Sequence, residues 1–196
     1  MTQTATLCET GSLMTATDAK HTRLRDIIAA KSLLTGRNFT LASGKPSGFF
    51  FDMKKTMLDP EGANLIADLM LDALAKEDIT HVGGLAMGAV PLAVALCVKS
   101  FQRGHPLSCF YVRKETKDHG TESLIDGTLE KGAKVAILED VTTTGGSALK
   151  AVAAVAALGA KASLVLSVVD RLEGAEAAFA AQGLRLVSLF TREDFR

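Results

Sequence analysis

From Asp59 onward the chain alternates short apolar runs with longer stretches whose apolar residues recur every three or four positions. Asp59-Pro60-Glu61 reads as a helix start: a capping acid, proline in the first turn, then an acid near the positive end of the helix dipole. Leu65, Ile66, Leu69, Met70 and Ala73 follow on one helical face. Ile79 to Leu85 is short, apolar and glycine-bearing, as a buried strand would be. A second helix is predicted from Pro91 to about Phe101. Leu107 to Val112 and Lys134 to Leu138 read as strands, Ser147 to Leu158 as an alanine-rich helix closed by Gly159, and Ser163 to Val169 and Leu184 to Phe190 as two more strands. This order predicts an α/β fold, a mostly parallel sheet flanked by helices on both faces. Such sheets bind ligands at the carboxyl ends of their strands, which places the chemistry after Leu85, Val112, Leu138 and Val169. Residues 21 to 58 break the alternation and are expected to form a small N-terminal hood over that edge, within a single domain spanning 21–196. Residues 1–20 are threonine-rich, with no basic start and no apolar block. They lack the pattern of a signal peptide and are expected to be a disordered tail.

Composition narrows the function classes. The 196 residues suit one domain. With 47% hydrophobic and 22% charged residues the chain is too apolar to be disordered. The 22 basic and 22 acidic side chains cancel, which argues against a nucleic-acid partner, because that grip needs surplus cations. No stretch approaches the roughly 18 to 20 apolar residues of a membrane span, so no membrane partner is expected. Cys8, Cys97 and Cys109 have no CxxC spacing and read as free thiols of a cytoplasmic protein. His21, His81 and His105 do not cluster as metal ligands would. Trp is absent and Tyr111 is the one tyrosine, so any stacking platform must come from phenylalanine.

The most informative segment runs from Val135 through Glu139-Asp140-Val141-Thr142-Thr143-Thr144-Gly145-Gly146-Ser147. Here an apolar strand enters two adjacent acids, then a threonine and glycine loop, then a helix. Gly145 and Gly146 allow a tight turn and close backbone approach to a ligand. The hydroxyls add donors, and the helix start adds partial positive charge, which together suit a phosphate dianion. Carboxylates repel phosphate, so Glu139 and Asp140 must face something else, and vicinal hydroxyls fit. A phosphate cradle beside a diol reader describes a ribose 5-phosphate site. The P-loop pattern GxxxxGK[ST] is absent, with Lys150 too far into the helix, and so is the dinucleotide fingerprint GxGxxG.

This segment resembles the 5-phosphoribosyl 1-pyrophosphate (PRPP) signature of the type I phosphoribosyltransferases. Two further segments resemble the orotate phosphoribosyltransferases within that family. Arg113-Lys114 to Lys117-Asp118-His119-Gly120 is similar to their cationic RK-x-x-K-D-HG lid. Asn38 to Asp52 is similar to their F-x-L-x-SG-x-x-S-x-x-Y/F block. Asp170-Arg171 closes a strand, as the family's orotate-contacting arginine does. The resemblance spans about Arg23 to Phe195. Some members carry lysine at the positions of Ala42 and Gly88, and Glu139 stands where many have aspartate.

The resemblance implies transfer of the phosphoribosyl group from PRPP to orotate, giving orotidine 5′-monophosphate and pyrophosphate, a step of UMP biosynthesis. It assigns catalysis to Lys117, His119 and Asp140. PRPP binding falls to Arg113, Lys114, Lys117, His119, Glu139, Asp140, Val141, Thr142, Thr143, Thr144, Gly145, Gly146 and Ser147. Orotate binding falls to Thr143 and Arg171, with Phe50 or Phe51 for base stacking. Mg²⁺ is expected, held mainly by substrate and water rather than by protein ligands, and the protein is expected to be a cytoplasmic homodimer with shared active sites. A purine acceptor on the same scaffold is opposed by the lid block and Arg171. A PRPP-sensing, nucleic-acid-binding regulator is opposed by the zero net charge.

Overall fold

The apolar runs pair side by side, because a strand of Val, Ile and Leu on both faces must be covered on both faces. The structure, a computed structural model, describes residues 15–40, 46–115 and 124–196. In chain order it contains α1 (Ala16–Lys31), β1 (Leu33–Thr40), β2 (Pro46–Phe51), α2 (Lys54–Met57), α3 (Pro60–Leu74), β3 (His81–Leu85), α4 (Ala89–Gln102) and β4 (Ser108–Val112). These are followed by β5 (Ile125–Gly127), β6 (Lys134–Thr142), α5 (Gly146–Ala157), β7 (Lys161–Asp170), α6 (Ala175–Ala180), β8 (Arg185–Thr191) and a 3₁₀ turn (Arg192–Phe195).

The main sheet has six strands in the order β5-β4-β3-β6-β7-β8. All neighbours are parallel except the edge pair β4–β5. Along β6 the side chains alternate between two cores. Ala136 and Leu138 pack with α1, α3 and α4 residues such as Ile28, Ile66 and Leu96. Val135 and Ile137 pack on the other face with Ala151, Val155 and Phe179 of α5 and α6. The period of two, hidden in a continuous apolar run, thus serves two layers of helix.

Four expectations need correction. The first described residue is Thr15, and helix α1 begins at Ala16, inside the stretch expected to be tail. Thr15 and Asp18 form a capping box, each side chain accepting the other's backbone N–H at 3.1 and 3.0 Å. Helix α1 then buries Leu24, Ile27 and Ile28 in the main core, so it is not part of a separate hood. Its Lys20 joins Lys99 and Arg103 around the buried Asp68, at 2.9, 3.3 and 2.6 Å, tying α1, α3 and α4 together. Second, Ile125–Gly127 forms an edge strand antiparallel to β4, where the sequence reading placed no strand. Third, β6 runs on past Leu138, so Glu139 and Asp140 sit in the strand. Fourth, α4 begins at Ala89, with Pro91 inside its first turn. The remaining hood segment is the β1–β2 hairpin, a two-stranded sheet of its own. The expected tail at 1–14 lies outside the described residues, as does Cys8; Cys97 and Cys109 are free thiols.

Candidate active site

The carboxyl ends of β6, β7, β3 and β4 gather the predicted residues along one edge. Strand β6 delivers Glu139 and Asp140, then Thr142, whose side chain is buried. The Thr142 hydroxyl donates to Ser167 Oγ at 2.8 Å, and its carbonyl accepts the Arg171 N–H at 2.9 Å. Thr142 is thereby fixed at the floor of the loop, where it also lines the cavity. Around it, Glu139, Val141, Thr142, Thr143, Thr144, Gly145, Gly146, Ser147 and Lys150 line a cavity of about 270 Å³. Gly145 caps α5 from the left-handed region, with φ 84°, and no side chain caps the helix. The first-turn N–H groups of α5 are thus free for an anion. A Cβ on Gly145 would also come within 2.6 Å of the Phe179 ring, so only glycine fits there. Lys150, set aside in the sequence reading, supplies a cation to this cavity. It also lines the adjoining groove with Arg113, Lys114 and Ser147.

The acid pair is electrostatically loaded. Glu139 Oε1 is buried with no hydrogen-bond partner among the described residues. Its burial, and secondarily the charge of Asp140, push the Glu139 carboxyl up to about 8. Burial also raises Asp140, against the Val141 N–H donated to its Oδ1 at 2.9 Å and the nearby charge of Lys54. Lys54 is in turn paired with Asp52 at 2.6 Å. Two desolvated carboxyls with open acceptor positions suit hydroxyl donors, and a diol supplies a matched pair.

Glycines in β3 and in the turn that follows it settle into two roles. A Cβ on Gly83 would run into the Phe110 carbonyl and one on Gly84 into that of Leu138, so both are packing residues. Gly88 instead faces the site: a Cβ there would lie 2.9 Å from Asp140 Oδ1. Ala42 lies outside the described residues, as do Lys117 and His119. At the base of the lid segment, Lys114 is exposed, whereas Arg113 pairs with Asp126 of β5 at 3.1 Å. Asp126 also accepts from Tyr111, which raises that phenol above its ordinary value.

At the far end of the site, Arg171 follows β7 and is 2% exposed. Its Nε donates to Glu173 Oε1 at 2.8 Å and its Nη2 to Ser47 Oγ at 3.0 Å. The guanidinium carbon lies 4.4 Å from the centroid of the Phe49 ring. Phe51 is buried, packed edge-on against Phe49 and Phe195, and belongs to the core. Phe50 points to the other face of the hairpin and stacks on Phe39 at 5.7 Å. Phe49 is the ring beside Arg171. Strand alternation from the buried Phe51 could have found it, because positions two apart share a face. No group of three or more potential metal ligands occurs among the described residues.

The comparisons agree with this geometry. The phosphoribosyl transferase domain family matches residues 55–179. The orotate phosphoribosyltransferase of Rhodopseudomonas palustris strain TIE-1 is 52% identical over 182 residues, covering 90% of this chain and 96% of its own length. That of Bradyrhizobium diazoefficiens is 50% identical over 182 residues, with the same two coverages. Among solved structures, Mycobacterium tuberculosis orotate phosphoribosyltransferase in complex with PRPP superposes with a TM-score of 0.76 at 35% identity, covering 90% of this chain and 98% of that one. A parallel sheet, an acid pair at its carboxyl edge and half-identical relatives matched over nearly their whole length agree: the chain belongs to the phosphoribosyltransferase family, in its orotate phosphoribosyltransferase branch.

Proposed function

We propose that this chain transfers the 5-phosphoribosyl group of PRPP to orotate, producing orotidine 5′-monophosphate and pyrophosphate on the route to UMP. The observation that carries the reading is the junction of β6 and α5. An uncapped helix start and a glycine turn form an anion cradle immediately beyond two desolvated carboxyls. That order matches the order of groups on PRPP, with a terminal phosphate on a ribose bearing two adjacent hydroxyls.

In this reading the amides and hydroxyls of Thr143 to Ser147 hold the 5-phosphate, with Lys150 adding charge at the same cavity. Glu139 and Asp140 accept the ribose hydroxyls. When ionised, they also favour the cationic sugar that develops as the C1–pyrophosphate bond breaks. Thr143 and Arg171 orient orotate, whose anionic charge complements the guanidinium. Arg113, Lys114, Lys117 and His119 cover the departing pyrophosphate and exclude water. An orotate already deprotonated at the attacking nitrogen needs no general base, so catalysis is mainly positioning and charge stabilisation.

Mg²⁺ is taken to arrive on the substrate, held mainly by its phosphates and by water. When bound, the ion neutralises charge on the leaving pyrophosphate. No helix among the described residues is long and apolar enough to cross a membrane. The absorbance loss of orotate on mixing with PRPP and Mg²⁺ tests the function. Turnover of orotate is expected; turnover of hypoxanthine or adenine alone would overturn it.

A further inference from the structure

We propose that Glu173 is the positioning residue of the orotate end of the site, holding Arg171 in the one orientation that reads a ring-borne carboxylate. The proposal rests on Arg171 as the orotate contact and adds how that contact is built.

A guanidinium offers five N–H donors in a rigid plane, but it hangs on a stem with several rotatable bonds. Here the plane is fixed from three sides. Glu173 takes the Nε hydrogen at 2.8 Å, Ser47 takes one from Nη2 at 3.0 Å, and the Phe49 ring lies 4.4 Å from the guanidinium carbon. The direction of the network is also set. Ser47 gives its own proton to the Phe49 carbonyl at 2.7 Å, leaving its oxygen as the acceptor for Arg171. Among the described residues Nη1 has no partner, so the outer edge of the guanidinium remains for an incoming anion.

Local backbone geometry makes Glu173 suited to this task. Leu172 sits in the left-handed region with φ 57°, and its N–H donates to Asp170 Oδ1 at 2.9 Å. That turn brings the carboxylate of Glu173 back against a side chain only two residues earlier. The Arg171 side chain is 3% exposed, and Glu173 is the carboxylate paired with it. A buried cation without such a partner would be costly. With Glu173 present, the guanidinium approaches neutrality as a pair, so it discriminates anions by geometry as well as by charge.

The test compares the product orotidine 5′-monophosphate with UMP, the same nucleotide without the carboxylate, each titrated against the full-length protein and its Glu173→Gln and Arg171→Ala variants. Glu173→Gln is expected to weaken orotidine 5′-monophosphate roughly tenfold while leaving UMP within about twofold. The KM for orotate should rise in parallel with the KM for PRPP unmoved, and Glu173→Asp should recover part of the loss. If Arg171→Ala erases the preference for the carboxylate but Glu173→Gln keeps it, the positioning role is wrong and the orotate contact stands. If Arg171→Ala itself keeps the preference, the underlying assignment of Arg171 is wrong. An equal loss of both products in Glu173→Gln would also overturn the proposal, because it would mark general damage to the site.

Discussion

Glu139 illustrates how a single side chain can serve the site at the expense of the fold. Its unpartnered Oε1 is enclosed in protein, and burial beside Asp140 moves its carboxyl up to about 8. In the unfolded chain the same group titrates near 4.5, the ordinary value for a glutamate. Below that value both states hold the proton and the site costs nothing. As pH rises from about 4.5 to about 8 the unfolded chain binds fewer protons than the folded one, so stability falls across that window. Glu139→Gln removes the titration while keeping the shape. Its melting temperature should therefore exceed that of the parent by several degrees at pH 8 and match it near pH 4. The same variant should lose about 10-fold or more in kcat/KM for PRPP, because an amide is a weaker acceptor for hydroxyls than a carboxylate. Equal stabilisation at both pH values would show that the buried acid is not what limits the fold. The residue scale is also where sequence reading fell short. The acid pair was legible, but the turn that folds Glu173 onto Arg171, and the choice of Phe49 over Phe50 and Phe51, depend on φ angles and strand faces that residue types alone do not fix.

Among the elements, the turn from β6 into α5 is the most tightly constrained. Gly145 combines a φ of 84° with a Cβ position blocked by Phe179, whereas Gly146 has no neighbour within 4 Å of that position. Gly145→Ala should cost about 1–3 kcal/mol of stability from backbone strain alone, more once Phe179 is displaced, and should raise the KM for PRPP. Gly146→Ala should leave the melting temperature within about two degrees of the parent. Similar melting curves for the two variants would count against the turn geometry. Those glycines were readable because a strand, acids, a hydroxyl-rich loop and a helix follow one another without interruption. Other elements left weaker traces. Helix α1 buries only Leu24, Ile27 and Ile28 and is otherwise polar or alanine, so its periodicity is faint and its Thr15–Asp18 capping pattern was the usable signal. Strand β5 is too short to show any period. The end of β6 is masked because the apolar pattern stops at the functional acids while the backbone pairing with β7 continues to Thr142 and Asp170.

At the scale of the whole molecule, the described surface leaves an apolar face on α4. Val94, Val98 and Phe101 share one side of that helix and are 53%, 54% and 75% exposed. Spacings of four and three residues put them in one stripe, and a contiguous exposed stripe of this kind suits a subunit contact. A homodimer is what the family resemblance implies, with the lid of one subunit serving the site of the other. Complementation tests that arrangement directly. A Lys117→Ala chain keeps its acids and loses its lid cation; an Asp140→Ala chain keeps its lid and loses an acid. If lids act across the dimer, each hybrid contains one intact site, formed from the acids of the first chain and the lid of the second. Its other site carries both defects. Random reassembly of equal amounts makes about half of the dimers hybrid, so the mixture should reach roughly a quarter of the parent's specific activity from two nearly inactive samples. If each lid serves its own subunit, every site in every dimer carries one defect or the other, and mixing restores nothing. Hybrids separated by differential tagging make the distinction quantitative, since an isolated hybrid with half the parent's activity requires a site built from two chains.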